Sequence, residues 1–361
     1  MKKNNILKLF IALALMLSLV GFSAPSFSLA NTSNKELPNI KILATGGTIA
    51  SRAESETDTS NYSVADGIQS LIDAVPAIKD IANVSGEQLF NIVSSGITDE
   101  HRLILAKRIN TLLAQDDVDG IVVTHGTDTL EQTAYFLNLV VKSNKPVVVV
   151  GAMRPASAIS ADGPLNLYNA VKVAGDKKSV GKGALIVMND RIGAARFINK
   201  NNYWAVDTFK ATEQGFIGDI VAGKVRYYQE SLLKHTYKSE FDIMNLDELP
   251  KVDIIYGSYG QSDASMFNAA VSSGTKGIVL AGSVLGDLSD RLASYAKLGA
   301  DKSNGGVVVS SFYQANGHSL YENADQVESN TLNPHKSRIL LQLALTKTTD
   351  MEEIQKFFDE Y

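Results

Sequence analysis

The sequence predicts an α/β protein with two domains, a larger N-terminal domain built on an open sheet and a smaller C-terminal α/β domain. Short apolar runs rich in β-branched residues recur along the chain, such as Ile121–Val123 and Val147–Val150, and runs of this kind fill buried parallel strands. Segments with helical patterning separate these runs, which is the alternation expected of an α/β fold. The chain has 361 residues, more than a single core usually serves, so two domains are favoured.

The N-terminal domain is expected over residues 37–240. Its predicted strands are Ile40–Ala44, Gln88–Val93, Ile121–Val123, Lys145–Val150 and Ala184–Met188. Its predicted helices are Ile68–Val75, His101–Ala114, a helix that begins near Asp128, and Leu165–Val173. Thr129 with Gln132, or Asp128 with Glu131, has the spacing of a capping box, which predicts the start of the third helix.

A polar and irregular stretch, residues 241–251, is expected to link this domain to a C-terminal domain over residues 252–361. Apolar runs predict strands at Val252–Tyr256, Gly277–Leu280 and Gly306–Val309. They alternate with helices expected at Ala264–Ser273 and Asp290–Leu298, and two further helices follow at Lys336–Thr346 and Met351–Phe358. This alternation predicts a second, smaller α/β unit.

Residues 1–30 have the pattern of a secretory signal peptide. Lys2, Lys3 and Lys8 give the chain a basic start, and an almost unbroken apolar run follows at Leu9–Val20. Small residues at Ser28–Ala30 fit a cleavage site. No other segment approaches the ~20 apolar residues that a membrane-spanning helix needs. We therefore expect an exported, soluble protein.

Composition excludes several kinds of site. Because the chain has no cysteine, it cannot form disulfides, a cysteine metal site or a thiol nucleophile. The five histidines are scattered without ligand spacing, so no metal is expected. The formal net charge is −5 at pH 7, and loss of the leader lysines makes it more negative, which argues against a nucleic-acid partner.

Two strand-to-helix turns carry candidate site groups. The strand Ile121–Val123 ends at Thr124-His125-Gly126, and Thr127 and Asp128 follow in the turn. In an open α/β sheet, ligands bind beyond the carboxyl ends of the strands, so this hydroxyl and carboxylate are candidates for a site. From the residues of this one turn alone, capping of the next helix is the favoured interpretation.

The second turn, Thr45-Gly46-Gly47-Thr48, follows the strand Ile40–Ala44. Its glycines allow a tight turn and the close approach of a ligand. The turn lacks the spacing of a dinucleotide fingerprint and the lysine of a P-loop, so phosphate binding is disfavoured.

Taken together, these turns and several further stretches resemble the bacterial type II L-asparaginases and the closely related glutaminase-asparaginases. The resemblance extends from Leu37 to Tyr361. The other matching stretches are KPVVVVGAMRP (Lys145–Pro155), SADGPLNLYNAV (Ser160–Val171), ALIVMND (Ala184–Asp190) and TLNPHKSRILLQLALT (Thr331–Thr346). The resemblance implies a flavodoxin-like open sheet in the larger domain, hydrolysis of L-asparagine to L-aspartate and ammonia without a cofactor, a periplasmic location, and a homotetramer arranged as a dimer of dimers.

The resemblance also implies catalytic roles. Thr48 would attack the amide carbon, with Tyr62 nearby in proton transfer, while Thr127, Asp128 and Lys200 would form a second relay. Residues 51–61 have almost no apolar side chain, and the resemblance makes them a mobile lid that closes with Tyr62 over Thr48. Without the resemblance, Lys200, which lies at helical spacing from Arg196, would be interpreted as a solvated surface lysine.

Substrate-binding residues follow from the same resemblance. Ser94 would hold the substrate α-carboxylate, and Asp128 could serve Lys200, the substrate α-amino group, or both. Ser95 stands where the family usually has Gln or Glu, and its shorter side chain would reach the amino group only through water. Glu322 is the candidate for a glutamate that a neighbouring subunit contributes, although residues 311–329 do not align clearly with the family.

Other departures and assignments stay open. Phe312 replaces a usual arginine, and the loop Ser283–Asp287 differs from the family's glycine-rich form. Arg154 would be either a charge near the carboxylate site or part of a structural ion pair.

Three alternatives to the main interpretation remain. They are a glutaminase-asparaginase of broad specificity, a catalytically impaired homologue, and a periplasmic small-molecule binding protein.

Overall fold

The larger sheet of the computed structural model lies in the N-terminal part of the chain; the structure describes residues 36–257, 265–282, 306–312, 317–318 and 326–361. Its eight strands, from edge to edge, are β12 (Lys224–Tyr227), β11 (Gly218–Val221), β8 (Arg191–Ala194), β7 (Ala184–Met188), β6 (Val147–Val150), β5 (Gly120–Thr124), β1 (Asn39–Gly46) and β4 (Asn83–Ile92). The strands from β7 to β4 are parallel, and β8, β11 and β12 join antiparallel at one edge.

Both faces of this sheet are covered, which explains why its central strands β5, β6 and β7 are apolar and fully buried. The helices that accompany it are α1 (Ile68–Asp73), α2 (Asp99–Leu113), α3 (Leu130–Val140) and α4 (Gly163–Ala174). Adjacent residues of one strand point to opposite faces. Val123 accordingly packs in a core with α2 and α3, whereas Val122 packs in a second core with α4.

The smaller sheet contains parallel strands in the order β13 (Val252–Tyr256), β14 (Gly277–Gly282), β15 (Val307–Phe312) and β16 (Val327–Glu328). Helices α5 (Ser265–Ser272), α6 (Pro334–Ala344) and α7 (Met351–Glu360) belong to this part of the chain. The sequence predicted this smaller α/β unit, and its strands lie where the apolar runs placed them.

The two sheets share a hydrophobic core. Val279, Val309 and Leu341 of the smaller unit pack in the same cluster as α2 and α3, and Phe241 from the expected linker is buried there too. Residues Pro38–Tyr361 accordingly form one compact unit. No helix among the residues that the structure describes has the length and apolarity needed to cross a bilayer.

Two short antiparallel ribbons complete the fold and carry side chains of the predicted site. One pairs β2 (Ser51–Ala53) with β3 (Tyr62–Val64), and the other pairs β9 (Asn199–Lys200) with β10 (Phe209–Lys210). The loop predicted at residues 51–61 therefore begins as a strand of a hairpin. The helical spacing assumed for Lys200 is also wrong, because the chain forms strands on both sides of Arg196.

Some predictions lie outside the described residues. They are the leader at residues 1–30, the helix at 290–298, the loop at 283–287, and Glu322.

Candidate active site

The Thr48 turn and the Thr127 turn touch each other backbone to backbone. Gly46 and Gly47 have φ values of 101° and 85°, in the left-handed region that favours glycine. A Cβ on Gly47 would lie 2.2 Å from the Cα atom of Gly126, a distance that no side chain tolerates. Glycine at both positions therefore lets the ends of β1 and β5 meet, and the two threonine-bearing turns form one site.

Thr48 is buried at the start of a short 3-10 helix, Thr48–Ala50. Its Oγ1 lies 3.2 Å from the hydroxyl oxygen of Tyr62. Tyr62 reaches this position because its strand pairs with β2, which directly follows the Thr48 turn. The Tyr62 ring is 36% exposed, so it lies between Thr48 and solvent.

The second cluster contains Thr127, Asp128 and Lys200. The Lys200 ammonium donates hydrogen bonds to Thr127 Oγ1 at 2.9 Å and to Asp128 Oδ1 at 2.7 Å. The Lys200 side chain is 9% exposed, whereas that of Asp128 is 56% exposed. The ammonium therefore approaches the buried Thr127 hydroxyl from the protein side, and the carboxylate borders the open side of the site. A cation in this position favours an alkoxide on Thr127.

Ser94 is hydrogen-bonded to the Thr127 turn through both its hydroxyl and its carbonyl group. Its Oγ accepts a hydrogen bond from the backbone N–H of Asp128 at 3.1 Å. Its carbonyl oxygen accepts a hydrogen bond from Thr129 Oγ1 at 2.8 Å. A Cβ on Gly126 would lie 2.8 Å from Ser94 Oγ, so the turn also packs closely against this serine.

The capping box predicted for α3 is not formed. The helix begins at Leu130, and its N-cap Thr129 makes no side-chain cap hydrogen bond. The Thr129 hydroxyl is occupied with Ser94, Gln132 accepts from Arg102, and Glu131 accepts from the backbone N–H of Lys200. The polar residues at this helix start therefore hold the site together and do not cap the helix.

Comparison with known proteins now identifies the family. The sequence profile described as "Asparaginase, N-terminal" matches residues 39–233, and the profile described as "Glutaminase/Asparaginase C-terminal domain" matches residues 251–358. The chain belongs to the asparaginase family.

Among its relatives, this asparaginase-family chain is 56% identical to "L-asparaginase 2" of Bacillus subtilis, over 92% of this chain and 89% of the relative. It is 46% identical to the "Probable L-asparaginase periplasmic" of Haemophilus influenzae, over 92% of this chain and 95% of the relative. A crystal structure of the "Probable Cytoplasmic L-asparaginase" from Campylobacter jejuni superimposes with a TM-score of 0.87 at 45% identity, covering 90% of this chain and all of that one.

Not every predicted residue of the asparaginase-family site joins the two clusters. Ser95 is exposed beside the buried Ser94, and Glu322 lies outside the described residues. Arg154 donates to the carbonyl and the hydroxyl of Ser160 at 3.0 and 2.7 Å, so it is not paired with a carboxylate there. Phe312, in place of the usual arginine, is buried at the end of β15.

Sequence reasoning missed buried polar residues that surround the site. Glu131 accepts from Asn333 Nδ2 at 3.0 Å, although 202 residues separate the two. His125 is fully buried, and that burial lowers the pKa of its ring to about 4. The ring is therefore neutral at pH 7, and its Nδ1 lies 2.7 Å from the carbonyl oxygen of Gly126. Residue spacing carries no signal for the contact between Glu131 and Asn333 or for the burial of His125, because both depend on the tertiary fold.

The polar groups of the site do not form a metal centre. In the described part of the chain, no group of three or more His, Asp or Glu side chains is arranged to hold a metal ion.

Proposed function

We propose that this chain is an amidohydrolase that converts L-asparagine to L-aspartate and ammonia. One observation carries the proposal: two buried threonine hydroxyls lie at the ends of neighbouring parallel strands, and each is hydrogen-bonded to its own polar side chain. Thr48 is hydrogen-bonded to Tyr62, and Thr127 to Lys200. Membership of the asparaginase family and the names of the relatives support the substrate.

In the first step, Thr48 Oγ1 attacks the side-chain amide carbon of asparagine. A threonine hydroxyl is a weak nucleophile, so a neighbouring group must take its proton. Tyr62, hydrogen-bonded to Thr48 Oγ1, is placed to relay this proton: its hydroxyl oxygen takes the proton of Thr48 while its own phenolic proton passes to the leaving nitrogen. The products of this step are ammonia and an acyl-enzyme ester on Thr48.

In the second step, water attacks the carbonyl carbon of the ester, the bond to Thr48 Oγ1 breaks, and aspartate leaves as a proton of the water returns to Thr48 Oγ1. Thr127, with Lys200 and Asp128 behind it, is the group that activates this water. Backbone N–H groups of the Thr48 turn are candidates for the oxyanion hole, and the loss of one such donor typically costs about 10²- to 10³-fold in rate. The N–H of Asp128 is already bound to Ser94, so its contribution is to position that serine.

The α-carboxylate and the α-amino group of the substrate are assigned to the Ser94 side of the site. Ser94 binds the α-carboxylate, Asp128 binds the α-amino group, and Ser95 contacts that amino group through water. Glu322 of a neighbouring subunit completes the site, within a homotetramer arranged as a dimer of dimers. The reaction uses no metal or cofactor.

We further propose export to the periplasm through a signal peptide at residues 1–30. The Haemophilus influenzae relative is named periplasmic, whereas the Campylobacter jejuni protein is named cytoplasmic. N-terminal sequencing of the protein recovered from the periplasmic fraction tests this proposal: a mature chain that begins near Asn31 supports it, and a chain that retains Met1 in the cytoplasm contradicts it.

The proposed domain boundaries are 37–240 and 252–361, with a linker at 241–251. The two profile matches, which end at residue 233 and begin again at residue 251, support this division. Limited proteolysis tests it, and first cleavage outside 241–251 argues against the linker.

The decisive experiment for the activity is ammonia release from L-asparagine and L-glutamine, measured side by side with protein purified from cells that express the full chain. Saturation with asparagine and little turnover of glutamine supports the proposed function. Comparable rates on both would indicate a glutaminase-asparaginase of broad specificity. The short Ser95 side chain would then be the first candidate for the residue that sets this specificity. No release from either, with tight binding of another ligand, would indicate a binding protein.

A further inference from the structure

Lys336 on α6 is a buried lysine whose ammonium is bound entirely by the segment that precedes Lys200. Its side chain is 1% exposed. The ammonium donates to the carbonyl oxygens of Arg196 at 3.0 Å and Ile198 at 2.6 Å, and to Asn199 Oδ1 at 3.1 Å. A lysine ammonium has three N–H donors, so these three acceptors satisfy it.

The same helix start also holds the backbone of Lys200 itself. Asn333 is the N-cap of α6, and its Nδ2 donates to Glu131 Oε1 and to Asn199 Oδ1, each at 3.0 Å. The other carboxylate oxygen of Glu131 accepts the backbone N–H of Lys200. The smaller unit therefore fixes the chain before Lys200 through Lys336, and Lys200 itself through Asn333 and Glu131.

The ammonium is the group in this arrangement that tolerates displacement least. A buried charge is costly unless hydrogen bonds satisfy it, so movement of the carbonyl groups of Arg196 and Ile198 away from the Lys336 ammonium is unfavourable. Burial lowers the pKa of Lys336 to about 8, while Glu131 raises it and Arg196 lowers it further. At pH 7 the group is therefore still an ammonium with three donors.

We propose that Lys336 is a positioning residue: it fixes the course of residues 196–199 so that the Lys200 ammonium reaches Thr127 and Asp128. This inference rests on the proposed function, because it gives Lys200 the role assigned there. Lys336 does not touch the substrate. Its effect on the reaction passes through the backbone of the neighbouring segment.

The test compares Lys336→Met with Arg338→Met, a matched control on the same helix. Arg338 also ties α6 to its surroundings, through Asp99 Oδ2 at 2.6 Å and the carbonyl oxygen of Val252 at 2.8 Å, but it does not contact residues 196–200. Misplacement of a catalytic group by about 1 Å can cost about 10²-fold in rate. We expect kcat for ammonia release to fall about 10²-fold in Lys336→Met, with KM within about threefold of the wild-type value. Both constants should stay within about threefold in Arg338→Met, even where its Tm falls.

Hydrogen exchange provides a readout that does not depend on activity. The amide of Lys200, bound to Glu131, should exchange faster in Lys336→Met than in wild type and should be unchanged in Arg338→Met. If Lys336→Met does not fold, Asn199→Ala removes one acceptor of the ammonium, and we expect a smaller change in the same direction. Folded Lys336→Met with wild-type kcat, or with wild-type exchange at residues 196–200, would overturn the inference. Wild-type protein that releases no ammonia would instead overturn the proposed function, and the exchange measurement would still decide whether Lys336 holds Lys200.

Discussion

The two threonines of the site differ in the group that can act on their protons. Thr48 is hydrogen-bonded to the phenol of Tyr62, which can relay a proton by taking one as it gives up its own, whereas Thr127 is hydrogen-bonded to the ammonium of Lys200. A cation stabilises an alkoxide without a change in its own protonation. This difference supports the division of labour proposed above, in which Thr48 carries the acyl group and Thr127 serves the attacking water.

Removal of either hydroxyl tests that division. We expect Thr48→Ala and Thr127→Ala each to lower kcat on the order of 10⁴-fold, because groups that act as a unit cannot replace one another. Thr111→Ala is the control, since its hydroxyl donates only to the carbonyl of Lys107 within α2. Steady-state ammonia release and a thermal melt of each variant would measure the effect. A folded Thr48→Ala protein that keeps most of its activity would refute the assignment of the nucleophile.

His125 predicts how stability depends on pH. Its folded-state pKa of about 4 lies below the ordinary value of 6.5, so the unfolded chain binds a proton first as the pH falls. The free energy of unfolding should therefore decrease as the pH falls from about 6.5 towards about 4, by up to about 1.4 kcal/mol per pH unit from this group.

Urea unfolding of wild type and His125→Gln at several pH values between 7 and 4 would measure this contribution. The glutamine keeps a donor for the carbonyl of Gly126 but does not titrate. We expect a shallower decrease in the variant. Parallel pH profiles for the two proteins would show that His125 does not contribute.

At the scale of the elements, two helix starts that look alike in sequence behave differently. Thr98 caps α2, where it accepts from the backbone N–H of His101 in a complete capping box. Thr129 precedes α3 but donates to Ser94 instead. The difference arises because the start of α3 lies against the turn that carries Ser94, and a tertiary partner competes with the local cap.

The two threonines should therefore affect different properties, the stability of the fold for Thr98 and substrate binding for Thr129. Thr98→Val should reduce the free energy of unfolding by about 1 kcal/mol, the usual cost of a lost cap, and should leave KM unchanged. Thr129→Val should instead raise KM for asparagine several-fold, because Ser94 loses the bond that holds its carbonyl. Chemical denaturation and steady-state kinetics on both variants would compare the two effects. Equal KM values in Thr129→Val and wild type would contradict the role assigned to Ser94.

The strands and their ends could be predicted from the sequence, whereas the contacts that complete the site could not. Apolar runs such as Val147–Val150 identify buried strands because both faces of the sheet are covered. Strand ends then locate Thr48 and Thr127. The position of Lys200 depends on Glu131, Asn333 and Lys336, which meet only after the smaller unit has packed against the larger sheet. Local spacing therefore predicted a helix where the structure has a short strand.

At the scale of the whole molecule, two large aromatic side chains remain exposed close to Lys200 in the chain. The Tyr203 ring lies 5.5 Å from the Lys200 ammonium, and Tyr203 and Trp204 are 80% and 70% exposed. Their turn is ordered, because Asn202 Oδ1 accepts from the backbone N–H groups of Trp204 and Ala205 at 2.7 and 2.9 Å. Exposed aromatic side chains that a rigid turn presents together are typical of an interaction surface. In the proposed assembly, a neighbouring subunit would cover the surface that Tyr203 and Trp204 form.

Trp204 is the only tryptophan of the chain, so its fluorescence reports on that surface alone. If a neighbouring subunit covers the site, assembled protein should emit at shorter wavelength and resist acrylamide quenching, because the indole leaves water. Dilution to the point of dissociation should shift the emission to longer wavelength and abolish ammonia release, since each site would then lose the residue its neighbour supplies. Sedimentation of the same samples gives the oligomeric state at each concentration. A tetramer whose Trp204 stays as quenchable as free indole would place the interface elsewhere, and a fully active monomer would show that each chain carries a complete site.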